Sequence, residues 1–444
     1  RPLSTRMSAS ISSQIVVSDA FDSGNILRVA DDVSKPSTVL VHIKDDVFTE
    51  LEQVNHKQWF YFKANFASPL TEATRVTYSI SNANKAAFPT AWPGTTVCYS
   101  FDRRNWLRAV STNYDKEAGV LDWSFNHKAG SRGVYFAYFP PFTYEQHLEL
   151  IEKCSESPVA DVLVLGQSLQ GRPIECVKVG TGSKKAWIIH RQHPGETQAE
   201  YFAKGLLQRL LGIGDQGSVD GMAKNALKEF TFFVVPNMCP DGSVLGHLRT
   251  NACGANLNRE WADSTDKDYQ APTLERSPEV FCVLNKMIET GVDAFCDVHG
   301  DEEFPYNFIA GAEGVRHWGP RMKGLQGAFL AAYERANSDI QKQYSYDPDD
   351  ANGAKLSICS NQIADRFDCL AVTLEMPYKD CSTNPDPTRG WSTGRCEKLG
   401  ASLVDGFMHV KDWLRTEDKF WLSLDARDAY VRPVEPENIF PCKE

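Results

Sequence analysis

Three short apolar runs, at residues 186–189, 292–298 and 369–374, each lead into residues that can bind a metal or carry a proton. Runs of this length and composition are typical of buried strands. After the first run, residues 199–211 place apolar side chains at the spacing of one helix face, and Gly212 follows as a helix C-cap. Strands that alternate with helices predict an α/β fold, and such folds gather ligands at the carboxyl ends of parallel strands.

His193 and Glu196 stand three positions apart at the first predicted strand-to-helix junction. Imidazole nitrogen and carboxylate oxygen both bind zinc, and a catalytic zinc site uses three protein ligands with water in the fourth position. An isolated pair of this kind is equally explained by a surface His-Glu contact. The second run leads into His299 in the same arrangement, which makes His299 the predicted third ligand. His190 and His247 lie near these motifs and are interpreted as structural residues.

The third run ends in Glu375. A carboxylate that emerges from a buried strand must be paired, ligated or used, because leaving it buried and unpaired costs several kcal/mol. Beside a metal-activated water it could act as a general base and acid. An ordinary ion pair with a nearby lysine or arginine is the alternative, and both stay open at this point.

Arg249, Asn258 and Arg259 lie between the second and third predicted ligands of the metal. A planar guanidinium can grip a carboxylate with two parallel hydrogen bonds. One arginine beside an asparagine therefore suits a free C-terminal carboxylate, and a second arginine could stabilise an oxyanion. The alternative is a turn residue next to a solvated cation, as in most Asn-Arg pairs.

Taken in order, these motifs resemble the M14 metallocarboxypeptidase family. Within it, the chain is most similar to the cytosolic carboxypeptidase branch, which includes tubulin deglutamylases, and to the compact bacterial-type members. The motifs are His193-x-x-Glu196, Asn237-x-x-Pro240-Asp241-Gly242, Arg249, Asn258-Arg259-x-Trp261, His299-Gly300 and Leu374-Glu375.

The resemblance implies one zinc ion per chain, bound by His193, Glu196 and His299. It implies that Glu375 is the general base towards a zinc-activated water.

It also implies that Arg249 polarises the scissile carbonyl, while Asn258 and Arg259 hold the terminal carboxylate of the substrate. The implied substrate is a C-terminal Glu or Asp on a peptide or protein tail. Two family features are missing: no tyrosine stands at the expected place before Glu375, and Gly195 replaces an arginine found in digestive members.

The chain is predicted to fold as an antiparallel β-sandwich over residues 1–142, because strand-like alternation prevails there, and as a mixed-sheet α/β zinc carboxypeptidase domain with helices on both faces over 143–432. Residues 433–444 read as a surface tail. Residues 1–15 are rich in Ser and contain Arg, as in an unstructured leader or a transit remnant. The β-sandwich offers a surface for a protein partner.

Composition narrows the function classes. A net charge of −11 opposes nucleic-acid binding, and no apolar run reaches the 18 residues that a membrane span needs. The twelve cysteines are scattered without a Cys-x-x-Cys pair, which favours reduced thiols in the cytoplasm. A mitochondrial or other organellar location is the alternative if the start is a transit remnant. A zinc amidohydrolase acting on N-acyl amino acids and a catalytically silent binding module are the competing functions.

Overall fold

The computed structural model describes residues 11–30, 32–47, 56–109, 112–214, 217–264 and 271–436. Residues 1–10 of the predicted leader (1–15) and residues 437–444 of the predicted tail (433–444) lie outside the described residues. Within the rest of the predicted leader, Ser12–Gln14 form a 3-10 helix and Ile15 begins a strand. The fold follows the predicted class, with a β-rich first part and a mixed α/β second part. The last strand of the first part ends at Ala137 and the next helix begins at Tyr144, and the division after residue 142 stays a prediction.

The first part is built from two five-stranded sheets. Its strands are β1 Ile15–Ser18, β2 Leu27–Arg28, β3 Thr38–His42, β4 Tyr61–Phe66, β5 Thr74–Ile80, β6 Cys98–Ser100, β7 Leu107–Arg108, β8 Thr112–Asp115, β9 Val120–His127 and β10 Gly133–Ala137. One sheet has the order β1-β4-β10-β6-β7 and the other β2-β3-β5-β9-β8.

Aromatic side chains from both sheets fill the space between them. Phe62 and Phe136 of the first sheet contact Tyr78 and Trp123 of the second, and all four side chains are fully buried or nearly so. These contacts arise because alternate residues of a strand point to the same face. The predicted antiparallel β-sandwich has one parallel pair, formed by β3 and β5.

The second part contains a seven-stranded mixed sheet with the order β11-β12-β14-β13-β15-β17-β16. Its strands are β11 Ala160–Gln167, β12 Pro173–Val179, β13 Lys184–His190, β14 Phe230–Val235, β15 Ala294–Asp301, β16 Phe308–Ala310 and β17 Leu370–Pro377. Strands β14, β13, β15 and β17 run parallel to one another at its centre. They are buried almost along their whole length, as expected for parallel strands covered on both faces.

Helices cover both faces of this sheet, as predicted. They are α1 Tyr144–Ser155, α2 Gln198–Leu211, α3 Gly221–Glu229, α4 Pro240–Leu245, α5 Pro278–Thr290, α6 Pro320–Ala336, α7 Cys359–Phe367 and α8 Thr393–Val410. Ile188 of β13 belongs to the apolar cluster that contains α2, α6 and α8, whereas its neighbour Trp187 belongs to the cluster of α5 and α7.

Helix α2 ends where its periodicity predicts, and Gly212 adopts the left-handed conformation with φ of 65°. Residues 180–183 connect β12 to β13 past the end of β14, which lies between these two strands in the sheet. The connection places β13 at the centre of the sheet.

Eleven cysteines lie in the described residues and all are unpaired, as predicted from their scattered positions. Within the same residues, no helix has the length and apolar character needed to cross a bilayer.

Candidate active site

The carboxyl ends of β13, β15 and β17 bring the predicted metal ligands and the predicted base together. His193 and Glu196 lie in the loop between β13 and α2. His299 and Glu375 lie within β15 and β17, where they are directly opposite each other in the parallel pairing. Both strands therefore continue three residues past the ends of the apolar runs, to Asp301 and Pro377.

His193, Glu196 and His299 form one buried group, and each offers a ligand atom within 4.8 Å of the other two. The Nδ1 atoms of the two histidines are 3.2 Å apart. Glu196 places Oε1 2.7 Å from Nδ1 of His193 and Oε2 2.9 Å from Nδ1 of His299. Ligand atoms around a tetrahedral zinc lie about 3.3 Å from one another, so the three side chains fit this ion.

The outer nitrogens of both imidazoles are fixed by protein partners, which leaves both Nδ1 atoms facing the same point. Nε2 of His299 lies 2.9 Å from Oδ2 of Asp297, and Nε2 of His193 lies 3.1 Å from Oδ1 of Asn256. Such partners set the tautomer and the ring orientation of metal-binding histidines. Burial lowers the pKa of His193 to about 3, which favours the neutral imidazole that a metal ligand needs. Burial acts in the same direction on His299, but the carboxylates of Asp297 and Glu196 outweigh it and raise the pKa of His299, so a metal ion has to displace that proton.

The loop that carries His193 is held by the buried guanidinium of Arg191. Arg191 has a φ of 59°, a conformation that a long side chain adopts only when its surroundings enforce it. It donates hydrogen bonds to the carbonyl oxygens of Pro194 and Phe142 at 2.9 and 2.7 Å, and it forms an ion pair with Glu200 at 2.6 Å. The predicted ligands are therefore positioned by a charged network beneath the loop rather than by the loop alone.

Gly195 has a steric reason to lack a side chain. Its N–H donates to the carbonyl oxygen of Leu248 at 2.9 Å, and a Cβ at this position would lie 2.9 Å from the same oxygen. Its own carbonyl accepts a hydrogen bond from the hydroxyl of Tyr378 at 2.8 Å. The arginine of digestive members does not fit here.

Glu375 is buried, and its Oε2 has no hydrogen-bond partner within the described part of the chain. The side chain lines a cavity of about 400 Å³ whose wall also includes His193 and Glu196. Burial raises the pKa of the Glu375 carboxyl, an effect that the nearby His299 opposes. A cation bound by the three ligands would oppose it further. An orphaned carboxylate oxygen at a metal-sized site suits proton transfer better than an ion pair.

Arg249, Asn258 and Arg259 line the same cavity. Within the described residues, the guanidinium of Arg249 makes no hydrogen bond or ion pair. Oδ1 of Asn258 accepts the backbone N–H of Cys359 at 2.9 Å, and its Nδ2 lies 3.5 Å from Nε2, the outer ring nitrogen of His299. Arg259 is exposed and donates to the carbonyl oxygen of Asn258 at 2.7 Å.

Sequence reasoning assigned no role to three residues of this site. Asp297 and Asn256 orient the two histidines, and Tyr346 lines the cavity with its hydroxyl 2.7 Å from Oδ2 of Asp301. The position of Asp297 beside His299 was predictable, because residues two apart on a strand point to the same face. The position of Tyr346 was not predictable, because it lies in an irregular segment.

His190 and His247 are structural, as interpreted from the sequence. Nδ1 of His190 bonds the carbonyl oxygen of Val235 at 2.9 Å, and Nδ1 of His247 bonds that of Thr250 at 2.9 Å. Neither side chain belongs to the ligand group.

Comparison with known proteins gives two family matches. Residues 17–139 match the cytosolic carboxypeptidase N-terminal domain, and residues 144–380 match the zinc carboxypeptidase family. An uncharacterized protein of Zymomonas mobilis is 40% identical over 403 residues, which cover 91% of this chain and 98% of that protein. Mouse cytosolic carboxypeptidase 4 is 23% identical over 456 residues, and the match covers 90% of this chain but only 39% of the mouse protein.

Solved structures agree with these matches. A metallo-carboxypeptidase from Pseudomonas aeruginosa, in complex with (2-guanidinoethylmercapto)succinic acid, has a TM-score of 0.80 and 36% identity and covers 90% of this chain and 100% of its own. A metallo-carboxypeptidase from Burkholderia cenocepacia has a TM-score of 0.79 and 36% identity and covers 90% and 99% of the two chains.

Proposed function

Because this chain belongs to the zinc carboxypeptidase family, we propose that it releases single C-terminal residues from peptides or protein tails with Glu375 as general base. It is a metallocarboxypeptidase, a hydrolase that uses one zinc ion per chain. One observation carries the assignment of residues: the three ligand side chains, Glu375 and two arginines all line one cavity or adjoin it.

The proposed role of each residue follows from the position of its side chain. When bound by His193, Glu196 and His299, zinc supplies a Lewis acid that polarises a carbonyl and activates water. Glu375 takes a proton from the attacking water and delivers it to the leaving amine, which its buried and unpartnered Oε2 suits.

The arginines are proposed to bind the two oxygen-bearing groups of the substrate. Arg249 lies on the cavity wall, where its guanidinium has no partner among the described residues, and it stabilises the negative charge that develops on the scissile carbonyl oxygen. Arg259 binds the terminal carboxylate together with Nδ2 of Asn258. An exopeptidase rather than an endopeptidase results, because an internal residue has no terminal carboxylate to bind.

The finer part of the proposal is an acidic C-terminal residue, Glu or Asp. Its support is the likeness to cytosolic carboxypeptidases, since both arginines of the cavity wall are already assigned to the scissile carbonyl and to the terminal carboxylate. Three other cationic residues lie near Glu375 in sequence and could have bound an acidic side chain, but none of them lines the cavity. Lys355 is exposed, Arg366 is paired with Asp263, and Lys379 donates to the carbonyl oxygen of Glu303.

A basic or neutral C-terminal residue is the second candidate, and the cavity wall favours it. Besides Glu196 and Glu375, the wall carries Glu313, Asp347 and Asp349 among other carboxylates. Like charges repel an acidic side chain in a cleft of low dielectric. The ligand of the Pseudomonas protein carries a guanidino group, which a wall of this kind would attract if the same mode applied here.

Mass spectrometry of peptides incubated with the zinc-loaded protein distinguishes these candidates. The set consists of one sequence ending in Glu, Asp, Leu or Lys, each with a free and an amidated C-terminus, with and without a chelator. Chelator-sensitive loss of Glu or Asp from the free acids supports the full proposal. Loss of Lys or Leu instead supports the proposed carboxypeptidase activity but contradicts the preference for an acidic residue. Equal cleavage of the amidated peptides contradicts the proposed binding of the terminal carboxylate.

The cytoplasm is the proposed location, on the strength of the match to the cytosolic carboxypeptidase N-terminal domain. A protein partner for the β-sandwich also stays a proposal.

A further inference from the structure

The segment that carries Arg249 is docked onto the β-sandwich. The N–H of Ser23 donates to the carbonyl oxygen of Val244 at 3.0 Å, and Nδ2 of Asn25 donates to that of Gly246 at 2.9 Å. Gly246 has a φ of 71°, and a Cβ there would lie 2.5 Å from the carbonyl oxygen of Gly24. The two chain segments thus approach too closely for any side chain at this point.

Asp46, which follows strand β3 of the β-sandwich, makes the most concentrated of these contacts. Its Oδ1 accepts the N–H of Leu248 at 2.6 Å, and its Oδ2 accepts the N–H of Arg249 at 2.8 Å and that of Thr250 at 2.9 Å. The hydroxyl of Thr250 adds a fourth hydrogen bond at 3.0 Å. Three consecutive backbone N–H groups around one carboxylate form an anion-binding nest, here filled by a side chain of the same protein.

Asp46 is only 2% exposed, so water does not compete for these bonds. Its own N–H is anchored to the carbonyl oxygen of His56 at 2.8 Å. Hydrogen bonds to an ionised carboxylate are shorter and stronger than neutral ones. Asp46 therefore fixes the backbone direction from Leu248 to Thr250, and with it the point from which the side chain of Arg249 departs.

The same segment touches the loop of the metal ligands, because the carbonyl oxygen of Leu248 accepts the N–H of Gly195 at 2.9 Å. The β-sandwich also contributes to the cavity directly, since Phe88 lies on its wall. Phe88 is held in turn by the side chain of Gln58, which bonds both its N–H and its carbonyl oxygen at 3.1 Å.

We propose that Asp46 is a positioning residue for Arg249, and that the β-sandwich thereby completes the active site of the second domain. This inference rests on the proposed role of Arg249. It gives the β-sandwich a task inside the enzyme whether or not the β-sandwich also binds a protein partner.

Steady-state kinetics of Asp46→Asn, alone and combined with Arg249→Ala, tests the inference. Asp45→Asn is the matched control: the same change one position earlier, at an exposed carboxylate paired with Lys57. Asp46→Asn is expected to lower kcat about 10- to 100-fold through misplacement of Arg249, with little change in KM and with one zinc per chain retained. Asp45→Asn is expected to match the wild type.

The double variant shows whether Asp46 acts through Arg249. If Asp46 acts through Arg249, adding Asp46→Asn to Arg249→Ala lowers kcat no further. If Asp46→Asn lowers kcat equally in the wild type and in Arg249→Ala, or lowers it in neither, the positioning role of Asp46 is refuted, while the role of Arg249 is unaffected. Full activity of Arg249→Ala alone refutes the proposed role of Arg249 instead. If Asp46→Asn does not fold, Asp46→Glu keeps the charge, shifts the nest by one methylene and is subject to the same comparison.

Discussion

Asp297→Asn is expected to weaken zinc binding while leaving the ligand set intact. The carboxylate of Asp297 is fully buried and lies 2.9 Å from Nε2 of His299. An isosteric amide replaces a charge-assisted hydrogen bond, worth about 1.5–3 kcal/mol, with a neutral one worth about 1 kcal/mol. The loss of about 0.5–2 kcal/mol corresponds to a zinc Kd about 2- to 30-fold higher. This increase overlaps the lower part of the range of affinity losses that usually follow when a residue hydrogen-bonded to a metal-binding histidine is mutated.

Competition with a chromophoric zinc chelator at constant pH measures this change. Asp293→Asn serves as the control, because Asp293 precedes the same strand and bonds the N–H of Lys185 at 2.7 Å, away from the ligands. The control is expected to affect thermal stability but not zinc affinity. A zinc Kd within twofold of the wild type for Asp297→Asn refutes the argument that Asp297 orients His299.

Three further outcomes are expected. Arg259→Ala raises KM for peptides with a free C-terminus and abolishes the preference over their amides; an undiminished preference contradicts the carboxylate-binding role. Arg191→Met breaks the buried ion pair with Glu200 and lowers the free energy of unfolding by about 3–5 kcal/mol in urea titrations, whereas Lys178→Met at an exposed pair changes it by less than about 1 kcal/mol. Burial acts to lower the pKa of His147, but the negative charge of Glu200 and the hydrogen bonds of His147 to Glu175 and Glu200 outweigh burial and raise this pKa to about 9. The stability from protonated His147 is complete below about pH 6.5 and is lost as pH rises through 9, so the free energy of unfolding falls over that interval; an equal fall in His147→Gln contradicts this origin.

Local patterns were enough to predict the elements that hold the metal ligands. The apolar periodicity of 199–211 and the glycine after it determine a helix from neighbouring residues alone, and α2 spans Gln198–Leu211. The runs before His299 and Glu375 are long enough to be read as buried strands. Their polar ends stand out because a buried strand has few other polar residues.

Strand order and distant contacts were not available from such patterns. The position of β14 between β12 and β13 depends on pairing between segments about 50 residues apart, and the parallel pairing of β3 with β5 is equally non-local. Asp46 meets Thr250 across 204 positions of sequence. A single aspartate in a polar segment predicts no particular partner, and only the folded chain shows that it closes a nest around the backbone of Arg249.

Glu375→Gln, assayed for zinc content and for release of C-terminal residues by mass spectrometry, separates the role of Glu375 from that of the metal ligands. The variant is expected to bind one zinc per chain, as the wild type does, with turnover reduced by about 10²- to 10⁴-fold, the usual contribution of a general base. His299→Ala is expected to lose the metal and provides the contrast. Turnover within tenfold of the wild type, or loss of zinc from Glu375→Gln, contradicts the assignment of Glu375 as the base that acts beside the metal.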